Sequence, residues 1–82
     1  MNQKNHFVTY DMSLSATLVA LGHTLGEIQK EDSGRSKFFF KHTSKLKKDV
    51  FDYWKQELKV NPHSIFDSLK FIKSRLYSGV NG

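Results

Sequence analysis

The side chains best suited to chemistry in this 82-residue chain are cationic and aromatic, and they lie close together at three successive phenylalanines flanked by lysines. In a strand, alternation places Phe38 and Phe40 on one face. The opposite face then carries Lys37, Phe39 and Lys41. A ring that stacks on a base, beside ammonium groups that neutralise phosphates, suits single-stranded nucleic acid. We therefore predict that Phe39 stacks on a base if its face is open, and is structural if a helix or a partner covers it.

Basic residues are concentrated in the second part of the chain. The protein has 13 Lys and Arg residues against 8 Asp and Glu residues, a net charge of +5. One stretch contains six basic residues and no acidic residue: Arg35, Lys37, Lys41, Lys45, Lys47 and Lys48. A concentrated cationic stretch attracts polyanions over a Debye length of about 8 Å. The pattern favours a nucleic-acid partner, and ordinary solvation of a small protein by lysines is the alternative.

A second basic cluster is predicted near the carboxyl end of the chain. Lys70, Lys73 and Tyr77 are three and four residues apart, so they share one face of a helix, with Arg75 to one side. Together with the lysines at 45, 47 and 48, these side chains could follow a phosphate backbone. A solvated helix face is again the alternative.

Other kinds of site find no support in the sequence. The chain has no cysteine, and its four histidines lack the spacing of a metal site. It contains neither a glycine-rich phosphate loop nor a Gly-x-Ser-x-Gly nucleophile motif. Asp49 and Asp52 are three residues apart, and we expect them to pair with lysines such as Lys45, Lys48 and Lys55. We therefore predict no enzymatic activity, no metal and no cofactor.

Six elements must position these residues. The patterns predict strands at residues 6–10, 24–30 and 36–41, and helices at 14–21, 43–59 and 62–79. Their order is β-α-β-β-α-α, typical of a small two-layer α+β domain with the helices on one face of a short sheet. The predicted apolar stripes of the second and third helices are Leu46, Val50, Tyr53, Trp54 and Leu58, and then Ile65, Phe66, Leu69, Ile72 and Leu76.

Residue types at the predicted boundaries fix where the helices begin and end. Asp11 or Ser13 can cap the first helix, Thr43 or Ser44 the second, and Asn61 followed by proline the third. Glycine at position 22 suits the left-handed conformation that ends a helix. We expect one domain over residues 7–78, with flexible ends at 1–6 and 79–82. With no long apolar run, we expect a soluble cytoplasmic protein, monomeric or homodimeric, without membrane contact.

The pattern resembles an uncharacterised domain family of phages, plasmids and poorly characterised bacteria. The matching residues are Asp11, Leu14, Ala16, Leu18, Leu21-Gly22, Phe38-x-Phe40, Tyr53-Trp54, Leu58-x-Val60, Phe66 and Leu69-Lys70-x-x-Lys73-Ser74-Arg75-Leu76-Tyr77. The resemblance implies these fold boundaries and a mobile-element origin, and it implies no activity. A weaker similarity links the chain to HicA-type toxin ribonucleases. Those enzymes place a catalytic histidine near a strand start, but here the hairpin turn at 33–36 has none.

Two functions follow as hypotheses. The first is a non-enzymatic nucleic-acid-binding module that uses the basic residues above and Phe39. The second is a protein-binding inhibitor or adaptor. It rests on Phe39, Phe51, Phe71 and Tyr77, which are more aromatic residues than two helical stripes can bury.

Overall fold

The secondary structure follows the predicted order. The computed structural model describes residues 6–81, with the side chains of residues 6–77. Its elements are β1 (His6–Thr9), α1 (Met12–Ala20), β2 (Leu25–Lys30), β3 (Ser36–Lys41), α2 (Ser44–Trp54) and α3 (Pro62–Asn81). The predicted α+β class and β-α-β-β-α-α order are confirmed. The predicted flexible ends lie outside the described residues, except that His6 belongs to β1 and residues 79–81 extend α3 past the predicted stop at Gly79.

The three strands form one antiparallel sheet with β3 in the centre, in the order β1-β3-β2. Phe40 lies opposite both Phe7 of β1 and Leu25 of β2. The pairing of β2 is irregular between Leu25 and Ile28, where three steps along β2 match two along β3. This extra residue is a β-bulge, which bends the edge strand locally. Both edge strands, β1 and β2, therefore pair with residues of the central strand β3.

The helices and one face of β3 share a single core. Phe38 and Phe40 are at most 1% exposed, and they belong to the same buried cluster as residues from all three helices. Those helical residues are Leu14, Ala16, Leu18, Leu46 and Ile72. Burial of each large apolar side chain contributes about 1.5–3 kcal/mol, so this cluster dominates the stability of a small domain. The predicted alternation of β3, with Phe38 and Phe40 inward, is confirmed.

Side-chain caps begin the helices where the sequence predicts them. The Asp11 carboxylate accepts a hydrogen bond from the backbone N–H of Leu14 at 3.0 Å, and Thr43 Oγ1 accepts one from Leu46 at 3.0 Å. Asn61 Oδ1 accepts the backbone N–H of His63 at 2.8 Å, directly before α3. These bonds satisfy N–H groups that have no partner within the helix.

The end of α2 differs from the prediction. The helix stops at Trp54 rather than at residue 59, because Gln56 takes a positive φ of 60°. The Gln56 N–H then donates to the Tyr53 carbonyl, and the Glu57 N–H donates to the Asp52 carbonyl. This pair of bonds is a Schellman motif, which usually uses glycine at the left-handed residue. Without a glycine at this position, the sequence offered no stop signal.

Two aromatic residues predicted for the core face solvent instead. Trp54 and Phe66 are each 61% exposed. Trp54 follows Phe51 by three residues, so both lie on the outer side of α2 while Leu46 lies on the inner side. Within the described residues, no helix combines the length and apolar character needed to cross a membrane.

Candidate nucleic-acid interface

The outer face of α2 combines aromatic and cationic side chains. Lys47, Phe51 and Trp54 are spaced four and three residues apart, which places them on one side of the helix. Phe51 and Trp54 are each 61% exposed, an unusual amount for large aromatic side chains in a domain of this size. This spacing was visible in the sequence. The apolar pattern predicts Trp54 in the buried stripe, so it does not predict this exposed face.

A groove runs along this face. It has a volume of about 520 Å³ and is lined by Ser44, Lys47, Lys48, Val50, Phe51 and Trp54; we call it the α2 groove. Its walls are mainly apolar, and its cationic groups come from the first turns of the helix. Lys55 adds a further charge, with its Nζ 4.8 Å from the centre of the Phe51 ring. The groove therefore offers stacking surfaces and positive charge together.

Lys48 stays charged at the edge of the groove. Its Nζ donates to the Asp52 carboxylate at 2.8 Å, the i, i+4 pairing that the sequence predicts. That hydrogen bond, together with the nearby negative charge of Asp52, raises the pKa of Lys48. An exposed pair of this kind adds little stability. The Lys48 side chain is 73% exposed, so a phosphate can reach its ammonium group in competition with Asp52.

A second cavity is also lined by Trp54. It measures about 500 Å³ and is lined by Thr17, Tyr53, Trp54, Gln56, Leu58, Val60 and Ile65; we call it the loop pocket. The Tyr53 and Trp54 rings meet edge to face with their centres 5.0 Å apart. Burial raises the pKa of the Tyr53 phenol, and the charge of Asp11 raises it further. The phenol therefore keeps its proton at neutral pH.

The structure contradicts the predicted open face at Phe39. Its ring is only 5% exposed, although it lies outside the helix-side core. The His6 ring packs edge-on against it at 6.2 Å between centres, and Lys37 Nζ lies 5.7 Å from its centre. Phe39 is therefore covered by neighbouring side chains of the sheet and does not offer a free face for a base. Phe39 is therefore structural, but it is covered by side chains of the sheet and not by the helix or partner that the alternative expects.

The acid-free stretch does not form one surface. Arg35 stacks on the Tyr10 ring at 4.0 Å, and Lys37 lies 3.9 Å from Glu31, both at the start of β3. Lys41 is exposed at the other end of that strand. A six-residue strand spans roughly 20 Å, so the charge of Lys41 lies far from that of Arg35. Proximity in sequence therefore overestimated how closely the predicted basic residues cluster.

Lys45 forms an ion pair with the buried carboxylate of Asp49. Its Nζ donates to Asp49 Oδ2 at 2.9 Å, and His23 Nε2 lies 2.6 Å from the same oxygen. Burial acts to raise the pKa of Asp49, but the hydrogen bonds from His23 and Lys45 outweigh it, so the pKa of Asp49 is lowered. The predicted Lys45–Asp49 pair is confirmed. Its burial and the contact with His23 were not predicted, because His23 is distant in sequence.

The predicted cluster on α3 divides into two parts. Lys70, Lys73 and Tyr77 are exposed on one side of the helix, as the spacing predicts. Arg75 instead donates hydrogen bonds to the backbone carbonyls of Leu25 and Gly26 on β2. It ties α3 to the edge of the sheet, so it is engaged in the fold rather than free for a phosphate.

Comparison with known proteins places the chain in a family without assigning an activity. The family model for a domain of unknown function, DUF5659, matches residues 4–78, and the chain belongs to that family. No curated protein and no solved structure matches the chain. Within residues 6–81, no group of three or more His, Cys, Asp or Glu side chains is arranged to hold a metal ion.

Proposed function

We propose that this member of the DUF5659 family is a non-enzymatic nucleic-acid-binding module that uses the α2 groove. One observation carries the proposal: Phe51 and Trp54 are each 61% exposed, beside Lys47 and Lys48, around one groove. Stacking of a base on an aromatic ring contributes about 1–3 kcal/mol, and lysines gain affinity by releasing counterions from phosphates. The net charge of +5 favours the same class of partner.

The single tryptophan makes the proposal directly measurable. Trp54 is the only tryptophan in the chain, so its fluorescence reports on the α2 groove and on the loop pocket that it also lines. We expect single-stranded DNA or RNA to quench this emission and to raise the anisotropy of a labelled strand. Binding should weaken steeply between about 50 and 200 mM salt. Absence of both signals at the low-salt end would reject nucleic-acid binding.

Two matched double variants separate the α2 groove from α3. Lys47→Ala with Lys48→Ala, and Lys70→Ala with Lys73→Ala, each remove two exposed charges and change the net charge equally. We expect the α2 variant to weaken binding more, and to reduce the salt slope by about 1.4–1.8 if both lysines contact phosphates. An equal or larger loss in the α3 variant would place the interface on α3.

The aromatic part of the groove has its own control. Trp54→Ala should weaken binding by about 1–3 kcal/mol, which is roughly 5- to 150-fold in Kd. Phe66 is also 61% exposed, but it lines neither cavity, so Phe66→Ala should leave Kd unchanged. Equal effects of the two substitutions would contradict a specific role for Trp54.

A protein-binding inhibitor or adaptor is the second candidate. Its supporting observation is that Phe51, Trp54, Phe66, Phe71 and Tyr77 are all at least 46% exposed. Sedimentation of the purified chain distinguishes a homodimer from a monomer, and the nucleic-acid titrations test the rival function. The resemblance to phage and plasmid proteins supports a mobile-element origin for either function, with action in the host cytoplasm.

A further inference from the structure

A strained residue lies at the loop pocket. Gln56 has a φ of 60°, and it is the only residue other than glycine with a positive φ in the described part of the chain. Glycine occupies the equivalent place at the end of α1, where Gly22 has a φ of 94°. A side chain in this conformation is sterically unfavourable, and such strain is concentrated at functional sites. The positive φ of Gln56 therefore indicates a role beyond ending the helix.

The Gln56 side chain contributes an amide to the pocket. Leu58, Val60 and Ile65 form apolar walls, and the Thr17 hydroxyl already donates to the Ser13 carbonyl at 2.9 Å. The Gln56 side chain is exposed, and its amide carries both a donor and an acceptor group. Besides the Tyr53 hydroxyl, it is a polar group of the pocket that can recognise a ligand, and it is the one carboxamide among the lining side chains.

Trp54 joins this pocket to the α2 groove, because the residue lines both cavities. A strand whose phosphates lie on the lysines of the groove would bring its bases to the tryptophan. Single-stranded nucleic acid is recognised when an unstacked base packs on an aromatic ring and forms hydrogen bonds through its edge. The two cavities supply these functions next to one shared side chain, that of Trp54.

We infer that the loop pocket takes one unstacked base of the strand held in the α2 groove, and that the Gln56 amide recognises adenine by paired hydrogen bonds. An amide fits adenine because the base presents a donor and an acceptor side by side. This inference rests on the proposed nucleic-acid binding. The pocket adds a preference for one base to an interface that otherwise contacts phosphates and the flat faces of bases.

The test uses short single-stranded thymidine oligonucleotides that carry one central guest: adenine, thymine or an abasic site. We expect the wild-type protein to bind the adenine guest roughly fivefold or more tightly than the other two. The variant Gln56→Gly should bind the adenine guest no more tightly than the thymine guest, because it loses the amide but keeps the Trp54 ring on which either base stacks. Gln56→Asn keeps an amide and also tolerates positive φ, so it should retain part of the preference.

The outcomes separate the two proposals. Wild-type binding without a preference for adenine would overturn the base pocket and leave the α2 groove standing. A preference that persists in Gln56→Gly would also overturn the assignment to Gln56. Failure of every strand to bind would reject the nucleic-acid function, and the base pocket with it. Circular dichroism melting of the two variants establishes that each is folded, since glycine and asparagine both accept the backbone conformation.

Discussion

The ends of α1 and α2 have the same backbone structure and opposite surroundings. In each, the residue with positive φ and the residue after it donate hydrogen bonds back into the last turn. After Gly22 the chain continues into His23, whose side chain is 7% exposed and contacts Asp49. After Gln56 the chain instead borders the open loop pocket. One helix end is therefore closed by a polar contact, and the other remains accessible to a ligand.

This difference separates stability from binding within one small domain. The closed end places a carboxylate, an imidazole and an ammonium group together, where loss of Asp49 leaves the buried His23 imidazole without its hydrogen bond. The open end contains an exposed tryptophan and a strained glutamine. We expect substitutions at the closed end to alter folding, and those at the open end to alter recognition.

The largest effect should come from Asp49→Ala. The substitution removes the shared acceptor of His23 and Lys45 and leaves the buried imidazole without its partner. We expect a loss of about 2–3 kcal/mol, which lowers the Tm by roughly 10–20 °C for a domain of this size. Asp52→Ala is the matched control because Asp52 also pairs with the lysine four residues earlier, but on the exposed side. It should cost no more than about 1 kcal/mol. Equal losses would contradict a special role for the closed end.

The same carboxylate should make folding sensitive to acid. The pKa of Asp49 in the folded protein lies below its ordinary value of 3.8, because the hydrogen bonds from His23 and Lys45 favour the charged form. Its contribution is therefore complete above the unfolded pKa and is lost as pH falls through the folded pKa. The stability difference between wild type and Asp49→Asn in urea unfolding should be constant near neutrality and shrink below about pH 4. A difference that persists unchanged at pH 3 would be inconsistent with a depressed pKa.

Gly22→Ala should have a smaller effect and a purely conformational one. A Cβ at this position meets no atom within 4 Å, so only the positive φ opposes the substitution. We expect a loss of about 1–2 kcal/mol by thermal or urea unfolding. Gly34 also has a positive φ of 92° and open space around it, so Gly34→Ala in the β2–β3 turn provides a reference for the same backbone cost. Tolerance of alanine at position 22 without loss would show that the helix end can adjust.

The two helix ends also show what the sequence could predict. Gly22, the caps Asp11 and Thr43, and the alternation of β3 are local signals, and each predicted its element correctly. The left-handed Gln56 gave no such signal, since its conformation depends on how the following loop packs. The sequence also does not predict the α2 groove. A helical stripe specifies which side chains are neighbours, but not which face of the helix meets the core. Trp54 was therefore assigned to the wrong side of α2.

The smallest effect, and one of opposite sign, is expected from Gln56→Gly. Glycine removes the cost of a side chain at positive φ, about 1–2 kcal/mol, but it adds about 0.5–1 kcal/mol of backbone entropy in the unfolded chain. The balance predicts a gain of up to about 1.5 kcal/mol in urea unfolding, whereas glycine-to-alanine at the end of α1 loses stability. A gain in stability together with a loss of base preference would mean that the chain retains a costly residue for recognition. If the variant is less stable than wild type, the Gln56 side chain contributes to packing, and its conformation needs no functional explanation.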